Sequence, residues 1–322
     1  MTAENSRQTP LLVLSGLVCL CLAVPAIAGT PAAEPRGKPF WTALAKDCVV
    51  PAGESAFALV TEAVGFLGSP DTQWRDDVGY GVVEACVYRR RTLKPGERQT
   101  LIVQLEGNLR RGIGEAGTDS ALLRSFSALD LSILAALEND ESTLDAAGYR
   151  EVLDAALAYL RDERDLRGFE PRVGWIHATA HTADLLKFLA RHPRFTPADQ
   201  ARLLDAAWAK LTATGTPVFT HAEDERLAAV LAFVIRRPDC APALLDPWLE
   251  RFVALERQVW ARAQPEAAML DTSQNARNLL RSLYVLLSLQ APAPAGKPSP
   301  LPSPAETTAR DKILATLGAI RR

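Results

Sequence analysis

The chain has 322 residues, 36 Lys and Arg against 38 Asp and Glu, a formal net charge of −2 and 48% hydrophobic residues. That near-balance argues against a nucleic-acid surface, which needs a clustered basic excess. The apolar content and length suit one large globular domain or two ordinary ones.

The first 28 residues read as an export signal. A short segment with Arg7 precedes an apolar run from Leu11 to Val24, and Ala26-Ile27-Ala28 supplies a small-x-small cleavage pattern. The run falls short of the roughly 20 residues a membrane span needs. The expected mature protein therefore starts at Gly29, is periplasmic, and is not integral to a membrane. Cys48, Cys86 and Cys240 survive cleavage. An oxidising compartment allows one bridge, Cys48 with Cys86 being the best match, while three buried thiols fit equally well. No Cys-x-x-Cys spacing points to a zinc ribbon.

Helical periodicity dominates from Lys38 to Gln290, without a sustained strand alternation. Two kinds of helix alternate. Amphipathic helices carry the stripes Tyr149, Val152, Leu153, Ala156, Leu157, Leu160, then Leu203, Leu204, Ala207, Trp208, Leu211, then Trp248, Leu249, Phe252, Val253, Leu255, Val259, Trp260. Helices of the second kind are apolar on most faces, with polar first turns around Arg75-Asp76-Asp77, Arg124, His177, Glu223-Asp224-x-Arg226 and Arg277. Their openings recur at roughly 50-residue intervals, slightly above the ~40–47 residues of HEAT-type pairs. The predicted fold is all-α: an α-α superhelix of helical hairpins, with the α/α-toroid as the alternative. The segments are a helical-repeat domain over 29–290, a Pro-rich linker over 291–304 and a C-terminal helix over 305–322. A capping box is expected at Thr220-x-x-Glu223, and Thr196-Pro197-Ala198-Asp199 places proline at the first helical position.

The segment Gly174–Leu186 holds two of the four histidines, His177 and His181, one helical turn apart if the segment is helical throughout. With Asp184, or with a third ligand from His221, Glu223 or Asp224 on the next inner helix, they form a candidate metal set, and zinc or iron is the ion such ligands take. Ala178 stands where a zincin protease needs its glutamate, which removes that reading. The commoner outcome for buried histidines is a polar ladder hydrogen-bonded to neighbouring helices, with no cofactor. Asp76 with Asp77 and Glu223 with Asp224 are candidate acid–base pairs, although acidic first turns also satisfy the helix dipole. Arg75, Arg124, Arg226, Arg277 and Arg281 can build an acid–base ladder or hold an anionic ligand. Ser125 and Ser127 read as small residues that permit close helix packing.

Ser69-Pro70-Asp71, Thr118-Asp119-Ser120, Gly174-Trp175-x-His177-x-x-Ala180-His181-x-x-Asp184 and Glu223-Asp224-x-Arg226 resemble the bacterial family called domain of unknown function 2785, over roughly residues 53–290. The resemblance implies a helical-repeat fold and no particular activity. The sequence thus points to a scaffold for a protein or small-molecule ligand. Its polar groove would run along inner-helix N-termini through Asp76, Asp77, Arg124, Trp175, His177, His181, Asp184, Glu223, Asp224 and Arg226. The alternative is a metal-dependent or carboxylate-based hydrolase centred on His177, His181 and Asp184.

Overall fold

The computed structural model describes residues 36–213, 215–289 and 301–320. The expected export signal over 1–28 and the Pro-rich linker up to residue 300 lie outside the described residues.

The fold is all-α. Helices α1 (Lys38–Asp47) and α2 (Ala56–Val64) lead into a helical segment over 73–89, where π-helical Gln73–Tyr80 and Glu84–Arg89 flank the single turn α3 (Gly81–Val83). There follow α4 (Pro95–Leu109), α5 (Ser120–Glu141), α6 (Ala146–Asp162), α7 (Ala178–Arg191), α8 (Pro197–Thr212), α9 (Glu223–Ile235), α10 (Leu245–Trp260), α11 (Ala267–Ser288) and α12 (Pro304–Ala319). The strands among the described residues are β1 (Phe169–Glu170) and β2 (Gly174–Trp175), an antiparallel hairpin pairing Phe169 with Trp175. Cys48, in the left-handed conformation at the end of α1, is disulfide-bonded to Cys86; Cys240 is a buried free thiol.

The helices form two layers. In the inner one α5 packs on α7, α7 on α9 and α9 on α11. In the outer one α4 packs on α6 and α6 on α8. Hydrophobic pattern accounts for the division. In α6 the stripe from Tyr149 to Leu160 is buried, whereas Glu151, Asp154 and Arg161 are exposed, so only one face needs a neighbour. In α7 every residue from Ala178 to Leu186 is buried, because layers cover it on both sides. Helix α5 is long and apolar enough to cross a membrane by length and composition, but most of it is buried within the protein. Burying each large aliphatic side chain contributes roughly 1.5–3 kcal/mol. Helix α12, capped by the Ser303 hydroxyl, docks on α10 and α11 through Ala309, Ile313 and Ile320. Arg236 of α9 ties it down through a 2.8 Å ion pair with Glu306.

Pro197 opens α8 as expected, and Thr196 forms a capping box there, with Asp199 returning to the Thr196 backbone N–H at 3.0 Å. The Thr220 box does not form. Helix α9 starts from Ala222 at φ 65°, and the Glu223 carboxylate accepts from the His221 N–H at 2.9 Å instead. Helix α7 likewise starts later than the Gly174–Leu186 pattern implies. Its N-cap is His177 at φ 53°, because residues 174–175 belong to the hairpin.

Candidate functional site

The site lies where the loop 163–177 meets the N-termini of α5, α7 and α9. The loop is anchored by arginines with buried partners. The Arg124 guanidinium donates to both oxygens of Glu163, Nε at 2.6 Å and Nη2 at 3.0 Å, and to the Arg111 carbonyl at 3.0 Å. Burial opposes the charge on Arg124, and Glu163 overcomes that cost, so its pKa is raised. The Glu163 carbonyl in turn accepts from Lys210 at 2.8 Å, an ammonium whose burial lowers its pKa to about 8. Arg167 clasps Asp165, donates to the Thr118 carbonyl at 2.8 Å and reaches Glu170 at 3.0 Å. Arg75, fully buried over the Phe126 ring, donates to Asp76 at 2.7 Å and to the carbonyls of Ser69 at 3.0 Å and Val173 at 2.8 Å. The loop is thereby held from three elements at once.

On this base the aromatic groups line up. Trp175 stacks on His177 with ring centres 4.9 Å apart, His177 meets His181 edge-on at 5.6 Å, and His181 meets Phe126 at 5.0 Å. The His177 backbone N–H donates to the Arg167 carbonyl at 3.1 Å, which helps hold its left-handed φ. Its ring Nε2 donates to the His221 carbonyl at 2.7 Å and lies 3.7 Å from the Glu223 carboxylate. Gly168 makes the close approach possible: a Cβ there would fall 2.4 Å from His221 Nδ1 and 2.8 Å from Glu223 Oε1. Burial pushes the His177 pKa below its ordinary value, against the opposing pull of the His221 carbonyl and Glu223. His181 is pushed down to about 3 by burial and then by the positive fields of His177 and Arg226, so it is neutral.

Ser125 is no mere packing residue. Its hydroxyl donates to the Ile176 carbonyl, and His181 Nδ1 lies 2.8 Å from the same oxygen. A hydroxyl has one proton. With that proton on the carbonyl, His181 is the donor to Ser125 and cannot act as its base. Ser127 accepts from Asn108 at 3.1 Å.

The predicted residues thus divide. Trp175, His177, His181 and Glu223 converge, and His221 joins them. Asp184 sits further along α7, between Lys187 at 2.8 Å and Arg226 of α9. Asp76 pairs with Arg75, whose guanidinium lies over Phe126, and Asp77 is exposed. Asp224 is buried in the first turn of α9, where desolvation raises its pKa. Arg277 pairs with Glu256 of α10, whereas Arg281 reaches Asn278 at 3.5 Å. No group of three or more His, Cys, Asp or Glu side chains able to hold a metal ion is found among the described residues. The residues the sequence did not single out are Glu163, Asp165, Arg167 and Gly168. Their one signal was the polar run after the α6 stripe, which carries no indication of a partner.

The family model described as Protein of unknown function (DUF2785) matches residues 109–285, more than half of the chain. The protein belongs to the DUF2785 family. The matched span includes every residue of the aromatic and histidine cluster and starts later than the expected residue 53, leaving out the Ser69-Pro70-Asp71 motif. Comparison with curated proteins and with solved structures gives no match. The DUF2785 span takes in α5, α7, α9 and most of α11, each packed on the next.

Proposed function

We propose that this DUF2785 protein is a non-catalytic binding scaffold whose recognition edge is formed by the β1–β2 hairpin and the N-termini of α7 and α9. One observation carries the reading. Polar groups of the inner edge are spent on one another, while Phe169 and Trp175 stay 44% and 42% exposed in edge-to-face contact at 5.1 Å. Exposed aromatics on a rigid, hydrogen-bonded base are the usual anchors of a binding surface. The ligand is a protein or a small molecule that presents an apolar group to this pair.

The same proposal takes the alternation of layers as a HEAT-like superhelix, in which the recognition edge is one rim of a groove. It also places the protein in an exported, periplasmic setting. The Cys48–Cys86 disulfide supports that, since such bonds persist in oxidising compartments. The test is a thermal-shift screen of the mature protein against peptides and small metabolites. Ligands that stabilise wild type should lose their effect in Phe169→Ala/Trp175→Ala, with the unliganded Tm of that variant unchanged. Hits that survive the double substitution, or His177-dependent turnover of ester or glycoside substrates, overturn the proposal.

A further inference from the structure

A second feature lies on the outer layer, away from the aromatic edge. Between α4 and α6 runs an open groove of about 450 Å³. Its charge is one-sided: Glu106, Glu151, Asp154 and Asp162 line it, with Arg110 as the one cation among the lining residues. Asp154 and Asp162 are engaged by Arg202 and Arg161, both at 2.6–2.7 Å. Glu151 has no ion pair among the described residues, and Arg110 makes none with Glu106. The Glu106 side chain is the unusual member. It is only 8% exposed, and its Oε1 is buried with no hydrogen-bond partner. A carboxylate oxygen in that state is costly unless something supplies a proton or a charge.

We propose that the α4–α6 groove binds a linear aliphatic polyamine. Residues 151, 154, 155, 158 and 162 recur at helical spacing, so one face of α6 forms the wall. From 151 to 162 the helix rises roughly 16 Å, which spreads the acidic groups over the length of a triamine or tetramine rather than gathering them at a point. Between them Ala155, Ala158, Leu109 and Ile113 supply an apolar wall suited to methylene linkers. A volume in the small-molecule range and dispersed carboxylates both disfavour a bare metal ion. One ammonium of the ligand meets Glu106, and others meet Glu151 and the acidic end at Asp162. Burial and the neighbouring Glu151 raise the Glu106 pKa in the empty groove, against the pull of Arg110. An arriving ammonium acts the other way and favours the charged carboxylate, so binding is linked to proton release.

The experiment is calorimetric titration of the mature full-length chain with spermidine at pH 5.5, in two buffers of different ionisation enthalpy. Butylamine and magnesium chloride at matched ionic strength serve as controls. Saturable binding of one spermidine is expected, at least tenfold tighter than butylamine, with proton release. Glu106→Gln should weaken binding at least tenfold and abolish the proton release. Glu151→Gln, at an exposed position, should weaken binding severalfold and decides the matter if the first variant does not fold. Spermidine heats no greater than those of the magnesium control overturn the inference. So does wild-type affinity in a folded Glu106→Gln variant or in Glu151→Gln.

Discussion

Acidification should destabilise this protein well above the pH at which its carboxylates titrate, and His181 sets the size of the effect. In the folded chain its pKa is about 3; in the unfolded chain it returns to about 6.5. The unfolded state therefore binds the proton first as pH falls, and the folded state loses stability from about pH 6.5 downward until the folded pKa is reached. Taking the two values at face value, the loss between pH 8 and pH 5 is about 2 kcal/mol from this ring alone. His177, whose pKa is also lowered, adds in the same direction. The assay is urea unfolding of wild type and His181→Gln at pH 8, 6.5 and 5. Glutamine keeps a side-chain amide that can donate to Ser125 but cannot titrate, so the variant starts less stable and loses about 2 kcal/mol less on acidification. Equal pH slopes for the two proteins would refute the reasoning, because they would mean that His181 gains its proton as easily folded as unfolded.

Two further outcomes follow from the loop anchors. Arg124→Met should cost about 3–5 kcal/mol by leaving the Glu163 carboxylate buried and unpaired, while Arg124→Met/Glu163→Met recovers much of that loss; chemical denaturation of the three proteins checks the order, and a double variant no better than the single one contradicts it. Gly168→Ala should cost about 1–3 kcal/mol, because the added methyl meets the His221 ring and the Glu223 carboxylate; a change in unfolding midpoint worth less than 0.5 kcal/mol would show that the contact yields freely.

Much of the fold is legible in the chain because its signals are local. The α6 stripe at i, i+3 and i+4 buries the residues it names, and α8 opens at Pro197, where the Thr196-Pro197 pair places it. The division into one-faced and fully buried helices follows from the same periodicity. In the C-terminal helix Ile313 and Ile320 are buried, while Leu314 is half exposed. Helix starts at the site were less legible. Ala222, not Thr220, caps α9, because the His221 carbonyl is held by His177 and the Glu223 carboxylate turns back on the His221 N–H. No pattern within α9 encodes a contact 44 residues away.

By itself the sequence determined the helical class, the family and the segment that carries the histidines, since each depends on residue type and short-range spacing. Only the tertiary structure decided what those residues do. It sent Arg124 to Glu163 across 39 residues, turned His177 out of the helix into a left-handed cap stacked on Trp175, and gave the Ser125 proton to a carbonyl. The physical reason is that burial makes polar groups seek partners wherever packing brings them, and those partners come from distant parts of the chain.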